Sequence, residues 1–288
     1  MLVIVAGLAL ALTACGGDDG GESSATSADE ATTTTAGASA AAGDFDEVVD
    51  VDGRGMHLVC SGEGDPMVLV AMGGDSTIAD WDFARSELDN DHRTCVYERA
   101  GVGSSEPGPE PRTAQVIADE LAGLLTTVDV DEPVVVVSHS VGGLFTQAFA
   151  QRHPDAVLGL VFLEPRTAAY QVGYRDHLTP AELRIDQRDL DDAIANASFG
   201  PELAALDDGA AEVVDAGPLP DVPVVVLTAG VPFPGQSTAD RDFWVQTHVD
   251  LAAQVTEGFQ RIVENADHQI FRTNPQDVAA AVAEVTAG

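Results

Sequence analysis

The chain has 288 residues, with 13 basic side chains, all of them Arg, against 48 acidic ones, which gives a formal net charge of −35 at pH 7. Such a charge repels phosphate groups and anionic lipid headgroups, so it argues against nucleic-acid binding through a basic face and against membrane binding through a polybasic patch. Hydrophobic residues make up 45% of the chain, which is enough for a sizeable core and excludes disorder of the whole.

The N-terminal segment, residues 1–15, is almost entirely apolar and ends in Leu12-Thr13-Ala14-Cys15. It is shorter than the roughly 20 residues that span a bilayer, and it is typical of a signal peptide. Its end resembles the bacterial lipobox, in which the cysteine is lipidated after cleavage, although no basic residue precedes the apolar run. We expect an exported protein, at the cell surface through lipid on Cys15 or extracellular. The alternatives are an ordinary cleaved signal and a buried N-terminal strand.

Residues 16–43 consist of Gly, Ser, Thr, Ala and acidic residues. Without a large apolar side chain this segment cannot bury surface, and it is predicted to be a flexible, low-complexity linker. Only five of the 48 acidic residues lie in it, so the acidity belongs to the folded domain, which is expected over residues 44–288.

From residue 44 onward, short apolar runs alternate with segments of helical period. The predicted strands are residues 47–51, 56–60, 67–71, 94–97, 134–137, 157–163, 222–227 and 259–263. The predicted helices are residues 113–128, 142–153, 240–254 and 275–285. Strands that are apolar on both faces fit a parallel sheet covered by helices, so the pattern predicts one doubly wound α/β domain with a mostly parallel sheet of about eight strands. Residues 166–220, acidic and without a strand run, are predicted to be a short helical cap.

Two cysteines, Cys60 and Cys95, lie in predicted strands. In an exported protein such a pair is most simply explained as a disulfide, with free buried thiols as the alternative.

The strongest sign of chemistry is Ser140, which stands between the apolar run 134–137 and a predicted helix. In a nucleophile elbow the turn is so tight that the residues two before and two after the serine must be small, and it lifts the hydroxyl clear of the sheet. Ser138 and Gly142 meet this requirement, with Ser138 where glycine is usual. We therefore predict that Ser140 is a nucleophile.

With this elbow, the sequence from residue 53 to the end resembles the α/β-hydrolase superfamily. Residues 97–105 (YERAGVGSS) are similar to that family's turn after the fourth strand, with Glu98 where Asp is usual, and residues 58–64 (LVCSGEG) are similar to a subgroup. The resemblance implies the α/β-hydrolase fold and acyl transfer by a serine, with no metal and no cofactor. A serine nucleophile argues against the branches of the superfamily that use Asp, the haloalkane dehalogenases and epoxide hydrolases.

The resemblance also implies two amide donors that stabilise an oxyanion. One is Val141, directly after the nucleophile. The other comes from the loop at residues 71–75 (AMGGD), where Gly74 is our choice and Asp75 the alternative. Met72 stands where the family commonly has His. Alternatively, the glycine pair only forms a turn and supplies no oxyanion donor.

In this superfamily the base follows the last strand, and His268 is the histidine in that place. We expect His139 to point away from the site, and we interpret the others, including His248, as structural residues in surface-like contexts.

The acid that orients His268 has two main candidates. Glu164 ends an apolar strand at the edge where ligands bind in such sheets, and Asp240 is the fallback after the following strand. Asp242 and Asp267 stay open as further alternatives.

These residues predict an exported, carboxylesterase-like serine hydrolase that cleaves an ester-type carbonyl through an acyl-enzyme on Ser140. The alternatives are an amidase, a peptidase or a carbon–carbon bond hydrolase with the same triad, and an inactive binding lipoprotein, because Ser138, Met72 and Glu164 depart from the usual pattern. The expected partner is a small-molecule substrate, and we expect a monomer. The net charge favours an uncharged or cationic ester over a polyanion.

Overall fold

A sheet of eight strands runs through residues 39–287, the part of the chain that the computed structural model describes. In chain order the strands are Phe45–Val51 (β1), Arg54–Ser61 (β2), Val68–Ala71 (β3), Thr94–Tyr97 (β4), Val134–His139 (β5), Val157–Leu163 (β6), Val224–Ala229 (β7) and Gly258–Val263 (β8). Their order across the sheet is β1-β2-β4-β3-β5-β6-β7-β8. β2 is antiparallel to β1 and to β4, and all other pairs are parallel. The predicted fold class is confirmed.

Helices cover both faces of this sheet. They are Asp82–Leu88 (α1), Ala114–Thr127 (α2), Gly142–Arg152 (α3), Ala168–Gly173 (α4), Pro180–Asn196 (α5), Gly200–Ala204 (α6), Leu206–Ala216 (α7), Thr238–Ala252 (α8), Ile270–Thr273 (α9) and Pro275–Thr286 (α10). Apolar side chains of α1, α9 and α10 pack on one face, and those of α2, α3, α7 and α8 pack on the other. No helix within residues 39–287 combines the length and the apolar character needed to cross a membrane.

Strand β5 shows why the apolar runs lack an alternating pattern. Val134 and Val136 enter the core beneath α2 and α3, whereas Val135 and Val137 enter the core beneath α1 and α10. Successive side chains of a strand point to opposite faces, so a strand covered on both sides must be apolar at every position. This central strand, buried along its whole length, carries Ser140 at its carboxyl end.

The connection from β6 to β7 holds α4, α5, α6 and α7, and it contains no strand among the described residues. This is the segment predicted to be a cap. In contrast, α1 and the 3₁₀ turn Ile78–Trp81 before it have no counterpart among the predicted elements. Helix α1 has seven residues, and only Ala84 and Leu88 are buried. Two buried positions are too few to form the apolar stripe by which a helix is identified in a sequence.

The predicted disulfide is confirmed. Cys60 on β2 and Cys95 on β4 stand opposite each other in the antiparallel register, and their sulfur atoms are bonded.

The expected signal peptide, the lipidation at Cys15 and most of the predicted linker lie outside the described residues. Ala40, near the end of that linker, is buried. Its amide donates to the carbonyl oxygen of Val128 at 2.9 Å, and its own carbonyl accepts from Nε of Arg93 at 2.6 Å. Contact with the folded body therefore begins at least four residues before residue 44.

Candidate active site

Ser140 occupies a tight turn between β5 and α3, with φ at +52°. This left-handed conformation costs free energy in any residue with a side chain, and it persists where the surroundings fix the backbone. The amide of Ser140 donates to the carbonyl of Leu163 at 3.2 Å, and its carbonyl accepts from the amide of Arg166 at 2.7 Å. A Cβ on Gly142 would lie 2.5 Å from the carbonyl oxygen of Met72, which explains the glycine two residues after the serine.

His268, after β8, lines the same pocket as Ser140, and its ring meets a buried carboxylate. Its Nδ1 lies 3.5 Å from Oε2 of Glu164, which is buried at the end of β6. This separation exceeds the usual hydrogen-bond range, so the two groups are in contact without a well-formed hydrogen bond. The other oxygen, Oε1, accepts from the amide of Ala229 at 2.7 Å, which fixes the carboxylate in place.

Glu164 carries its charge in a buried position. Burial raises the pKa of its carboxyl, but the contact with His268 and the nearby positive charge of Arg241 outweigh burial and hold the pKa below its ordinary value. Nη1 of Arg241 lies 3.6 Å from Oε1. An ionised carboxylate at Nδ1 is what a histidine base needs to keep its tautomer and to accept a proton at its other nitrogen.

The fallback acid, Asp240, has other partners. It lies in the first turn of α8, where it accepts from the hydroxyl of Tyr170 at 2.8 Å and from Nε2 of Gln236 at 2.9 Å. None of the contacts between described residues joins it to His268. Ser140 and His268 thus line one pocket and Glu164 contacts His268, whereas Asp240 bonds Tyr170 and Gln236 instead.

The two predicted oxyanion donors come from different loops of the pocket. Val141 immediately precedes α3, and Gly74 lies in the loop after β3, and both line the pocket. Gly73, which was not predicted as a site residue, also approaches the serine closely: a Cβ added to it would lie 3.1 Å from Cβ of Ser140 and 2.7 Å from Nδ1 of His139. The glycine pair was the available signal for such an approach.

A buried ion pair supports this loop. Nη1 and Nη2 of Arg99 donate to the carbonyls of Met72 and Gly74 at 2.5 and 3.1 Å. The same guanidinium bonds both carboxylate oxygens of Glu202, through Nε at 2.8 Å and Nη2 at 2.9 Å. Arg99 and Glu202 are both buried. Since Glu202 lies on α6, this pair joins the predicted oxyanion loop to the segment predicted as a cap.

Replacing Glu202 with Gln is expected to lower the free energy of unfolding by about 3 kcal/mol, because a buried guanidinium is left without a counter-charge. The matched control is Asp119→Asn, which breaks the exposed pair with Arg152, at 2.6 Å, and should cost less than about 1 kcal/mol. Urea unfolding followed by circular dichroism measures both. Equal losses in the two variants would contradict a structural role for the buried pair.

His139 does not point away from the site, contrary to the prediction. Its ring is buried 4.5 Å from that of His268, measured between ring centroids, and its Nε2 donates to the carbonyl of His268 at 2.8 Å. The ring contacts Trp81 and Phe271, because the last side chain of β5 falls on the face of the sheet that α9 covers. Burial, and then the charge of His268, hold the pKa of His139 well below its ordinary value. A neutral His139 thus fixes the backbone of the predicted base.

His248 is buried on α8 rather than in a surface context, which corrects a second expectation. Its Nε2 donates to the carbonyl of Pro165 at 2.9 Å, and its Nδ1 accepts from the hydroxyl of Thr228 at 2.8 Å. Burial lowers the pKa of this imidazole to about 4. The residue supports the turn that directly follows Glu164.

His248 should make stability depend on pH. The unfolded chain takes up a proton at this residue as the pH falls through 6.5, whereas the folded chain does not until about pH 4. Stability is therefore lost as the pH falls, and this group alone contributes a loss of about 2 kcal/mol between pH 7 and pH 5. His248→Gln removes the group, so the difference in unfolding free energy between variant and wild type should shrink by that amount. Urea unfolding at both pH values tests this, with the exposed His177→Gln as control. An unchanged difference contradicts a buried, neutral His248.

Parts of the chain are similar in sequence to known proteins. A family model described as alpha/beta hydrolase fold matches residues 65–197. Lipase LipV of Mycobacterium tuberculosis is 35% identical over 124 residues, which cover 38% of this chain and 47% of that protein. The uncharacterized protein YqjL of Bacillus subtilis is 25% identical over 239 residues, which cover 82% of this chain and 89% of YqjL. The chain spans only 14% of the length of a relative in Schizosaccharomyces pombe to which it is 38% identical over 77 residues.

Solved structures give the same architecture. The enol-lactonase from Burkholderia xenovorans LB400 superposes with a TM-score of 0.61 at 17% identity, over 83% of this chain and 98% of the other. A serine hydrolase involved in carbazole degradation superposes with a TM-score of 0.59 at 16% identity, over 85% of this chain and 99% of the other. At these identities the likeness concerns the fold, and the fold is that of the alpha/beta hydrolases.

Proposed function

We propose that this chain, which has the alpha/beta hydrolase fold, is a serine hydrolase that cleaves an ester-type carbonyl substrate through an acyl-enzyme on Ser140. One observation carries the proposal. A buried carboxylate, Glu164, lies 3.5 Å from Nδ1 of His268, and His268 lines the same pocket as Ser140. A nucleophile on a tight elbow, a histidine in the same pocket and an acid that orients the histidine are the parts that serine acyl transfer requires.

The chemistry follows from these positions. The Ser140 hydroxyl attacks the substrate carbonyl while His268 takes its proton, and the negative charge that develops on the carbonyl oxygen is held by the amides of Val141 and Gly74. Collapse of this tetrahedral intermediate breaks the ester bond, and His268 returns the proton to the leaving alcohol. Water then repeats the sequence on the acyl-enzyme and releases the acid. Glu164 stabilises the imidazolium formed in each half-reaction.

The pocket suits a small molecule. Its volume is about 560 Å³, within the range typical of small-ligand sites. Its apolar wall is formed by Phe199, Leu203, Leu206, Phe233 and Trp244. An ester substrate agrees with the names of two similar proteins, a lipase and an enol-lactonase.

Steady-state and stopped-flow assays on purified protein test the proposal. We expect hydrolysis of short-chain p-nitrophenyl esters, with a burst of one p-nitrophenolate per active site if deacylation is the slower step. Matched anilides, which test for amidase activity, and diketones, which test for carbon–carbon bond hydrolysis, should be hydrolysed more slowly. A folded protein that binds these esters without hydrolysing them would support the binding-protein alternative instead.

We also propose that the chain is exported. The apolar run of residues 1–15 supports this, as does the disulfide between Cys60 and Cys95, because structural disulfides persist mainly in oxidising compartments. Mass spectrometry of the mature N-terminus from the membrane fraction should find lipid on Cys15, and an unprocessed chain in the cytoplasm contradicts export.

A further inference from the structure

Arg166 enters the pocket from the same turn that carries the predicted acid. It lies two residues after Glu164, and its amide donates to the carbonyl oxygen of Ser140 at 2.7 Å. Its side chain is half-buried and lines the pocket. The backbone of Arg166 is therefore tied directly to the nucleophile.

Aromatic rings hold the guanidinium in place. Its central carbon lies 5.3 Å from the ring centroid of Tyr170 and 5.1 Å from that of Tyr174. Its Nε donates to Oε1 of Gln171. Stacking on aromatic faces restrains a guanidinium without occupying its donors. The two terminal nitrogens thus stay available, and none of the hydrogen bonds within residues 39–287 uses them.

Arg166 forms no ion pair with any residue of the part described, although acidic residues outnumber basic ones 48 to 13, and its charge acts on Asp207 only at longer range. Asp207 lies beyond Gln171 and is already paired with Arg175, whose Nη1 is 3.0 Å from both carboxylate oxygens. Asp240 accepts from Tyr170 and Gln236. Partial burial of an unpaired charge is unfavourable, so a half-buried guanidinium in such an acidic protein indicates a partner that comes from outside.

The other arginine in the pocket has a different setting. Arg272 is exposed, and its Nη1 lies 4.0 Å from Oδ1 of Asp80 and 3.3 Å from Oε1 of Gln269. At the rim of the pocket, the guanidinium of Arg272 therefore already faces polar side chains of this chain. Arg166 is therefore the basic group that the pocket presents to a ligand.

We propose that Arg166 binds a carboxylate of the substrate, so that the enzyme acts on small esters that also carry a carboxylate. The inference rests on the proposed function and specifies its substrate class. A guanidinium with two free terminal nitrogens matches the two oxygens of a carboxylate. Asp75, Asp80 and Asp192 also line the pocket and repel a ligand carboxylate, and Arg166 is the group that offsets this repulsion locally. Repulsion by surface charges is screened beyond roughly 8 Å at physiological salt, whereas a half-buried contact is screened much less.

Two matched pairs of substrates test the inference. In the first, mono-p-nitrophenyl glutarate is compared with its neutral methyl ester, so that the carboxylate lies on the acyl part. In the second, 4-butyryloxybenzoate is compared with its methyl ester, so that the carboxylate lies on the leaving group. In at least one pair we expect kcat/KM to favour the carboxylated ester. Arg166→Gln should lower that preference about tenfold to a hundredfold, mainly through KM, as expected for the loss of a charge-assisted contact.

Three further variants control the experiment. Arg166→Lys should recover part of the preference, because it restores the charge without the paired donors. Arg152→Gln, which changes the net charge equally at the C-terminal end of α3, and Arg272→Gln at the rim should each change the preference less than threefold. A preference for the neutral ester in both pairs, or an equal loss in Arg166→Gln and Arg272→Gln, would overturn the inference. Either result would leave the proposed function intact, provided that these esters are still hydrolysed through Ser140. If no ester is hydrolysed at all, the proposed function itself is refuted.

Discussion

Ser140→Ala is expected to lower kcat for ester hydrolysis by at least about 10⁴-fold, the largest effect of any single substitution in this chain. The variant removes the atom that forms the acyl-enzyme, while the elbow backbone, the pocket and the predicted oxyanion donors remain. Substrate binding, measured as KM or as inhibition by a product acid, should change little. Stopped-flow assays should also show that the burst of p-nitrophenolate disappears.

The matched control is Ser104→Ala. Ser104 is exposed in the turn after β4, and the same loss of one hydroxyl there should leave kcat within about twofold. A Ser140→Ala variant that keeps more than a few per cent of wild-type kcat, with contaminating esterase excluded by the same purification of the empty host, would contradict the acyl-enzyme mechanism.

Glu164→Gln is expected to lower kcat by about 10³–10⁴-fold, with KM nearly unchanged. The amide cannot stabilise the imidazolium of His268, and its NH₂ group can hold the ring in the wrong tautomer. The buried amide of Ala229, which donates to Oε1 at 2.7 Å, can still bond the oxygen of Gln. The variant should therefore remain folded, and near-ultraviolet circular dichroism checks this.

The fallback acid provides the contrasting variant. Asp240→Asn keeps an acceptor for the hydroxyl of Tyr170, which lies 2.8 Å from Oδ1, and should retain kcat within about threefold. If Asp240→Asn lost activity to the same extent as Glu164→Gln, or to a greater extent, the assignment of the acid to Glu164 would be wrong.

The architecture was predictable because its signals are local. Strands buried on both faces must be apolar throughout, so the run at residues 134–137 identified the centre of the sheet. The small residues around Ser140 reflect steric limits within a few positions of the chain, and Gly142 meets the carbonyl of Met72 as such a limit requires. The observed ends of most strands differ from the predicted ends by one or two residues, because the adjoining turns have no sharp signal in the sequence.

The acid of the site was harder to assign, because the choice depends on neighbours distant in sequence. Glu164 and Asp240 follow adjacent strands, β6 and β7, and either could meet a loop from β8. Contact with His268 was decided by the left-handed turn at Glu164, with φ at +47°, and by the amide of Ala229. Neither has a signature in the sequence.

The roles of the other polar residues of the site could not be predicted at all. His139 and His248 can be buried because carbonyl groups of distant loops, those of His268 and Pro165, accept hydrogen bonds from their rings. Arg166 looks in the sequence like any surface arginine. Its free guanidinium is evident only once Asp207 is seen to pair with Arg175. Burial of polar groups depends on partners that tertiary structure supplies.

Labelling with a fluorophosphonate tests the central claim, a nucleophilic Ser140 activated by His268 and Glu164, most directly. Intact mass should show one adduct per chain, and peptide mapping should locate it on Ser140. Ser140→Ala should take up no label, and Glu164→Gln should be labelled at least about a hundredfold more slowly than wild type. A folded wild-type protein that stays unlabelled, or that carries the adduct on another residue, would contradict the claim.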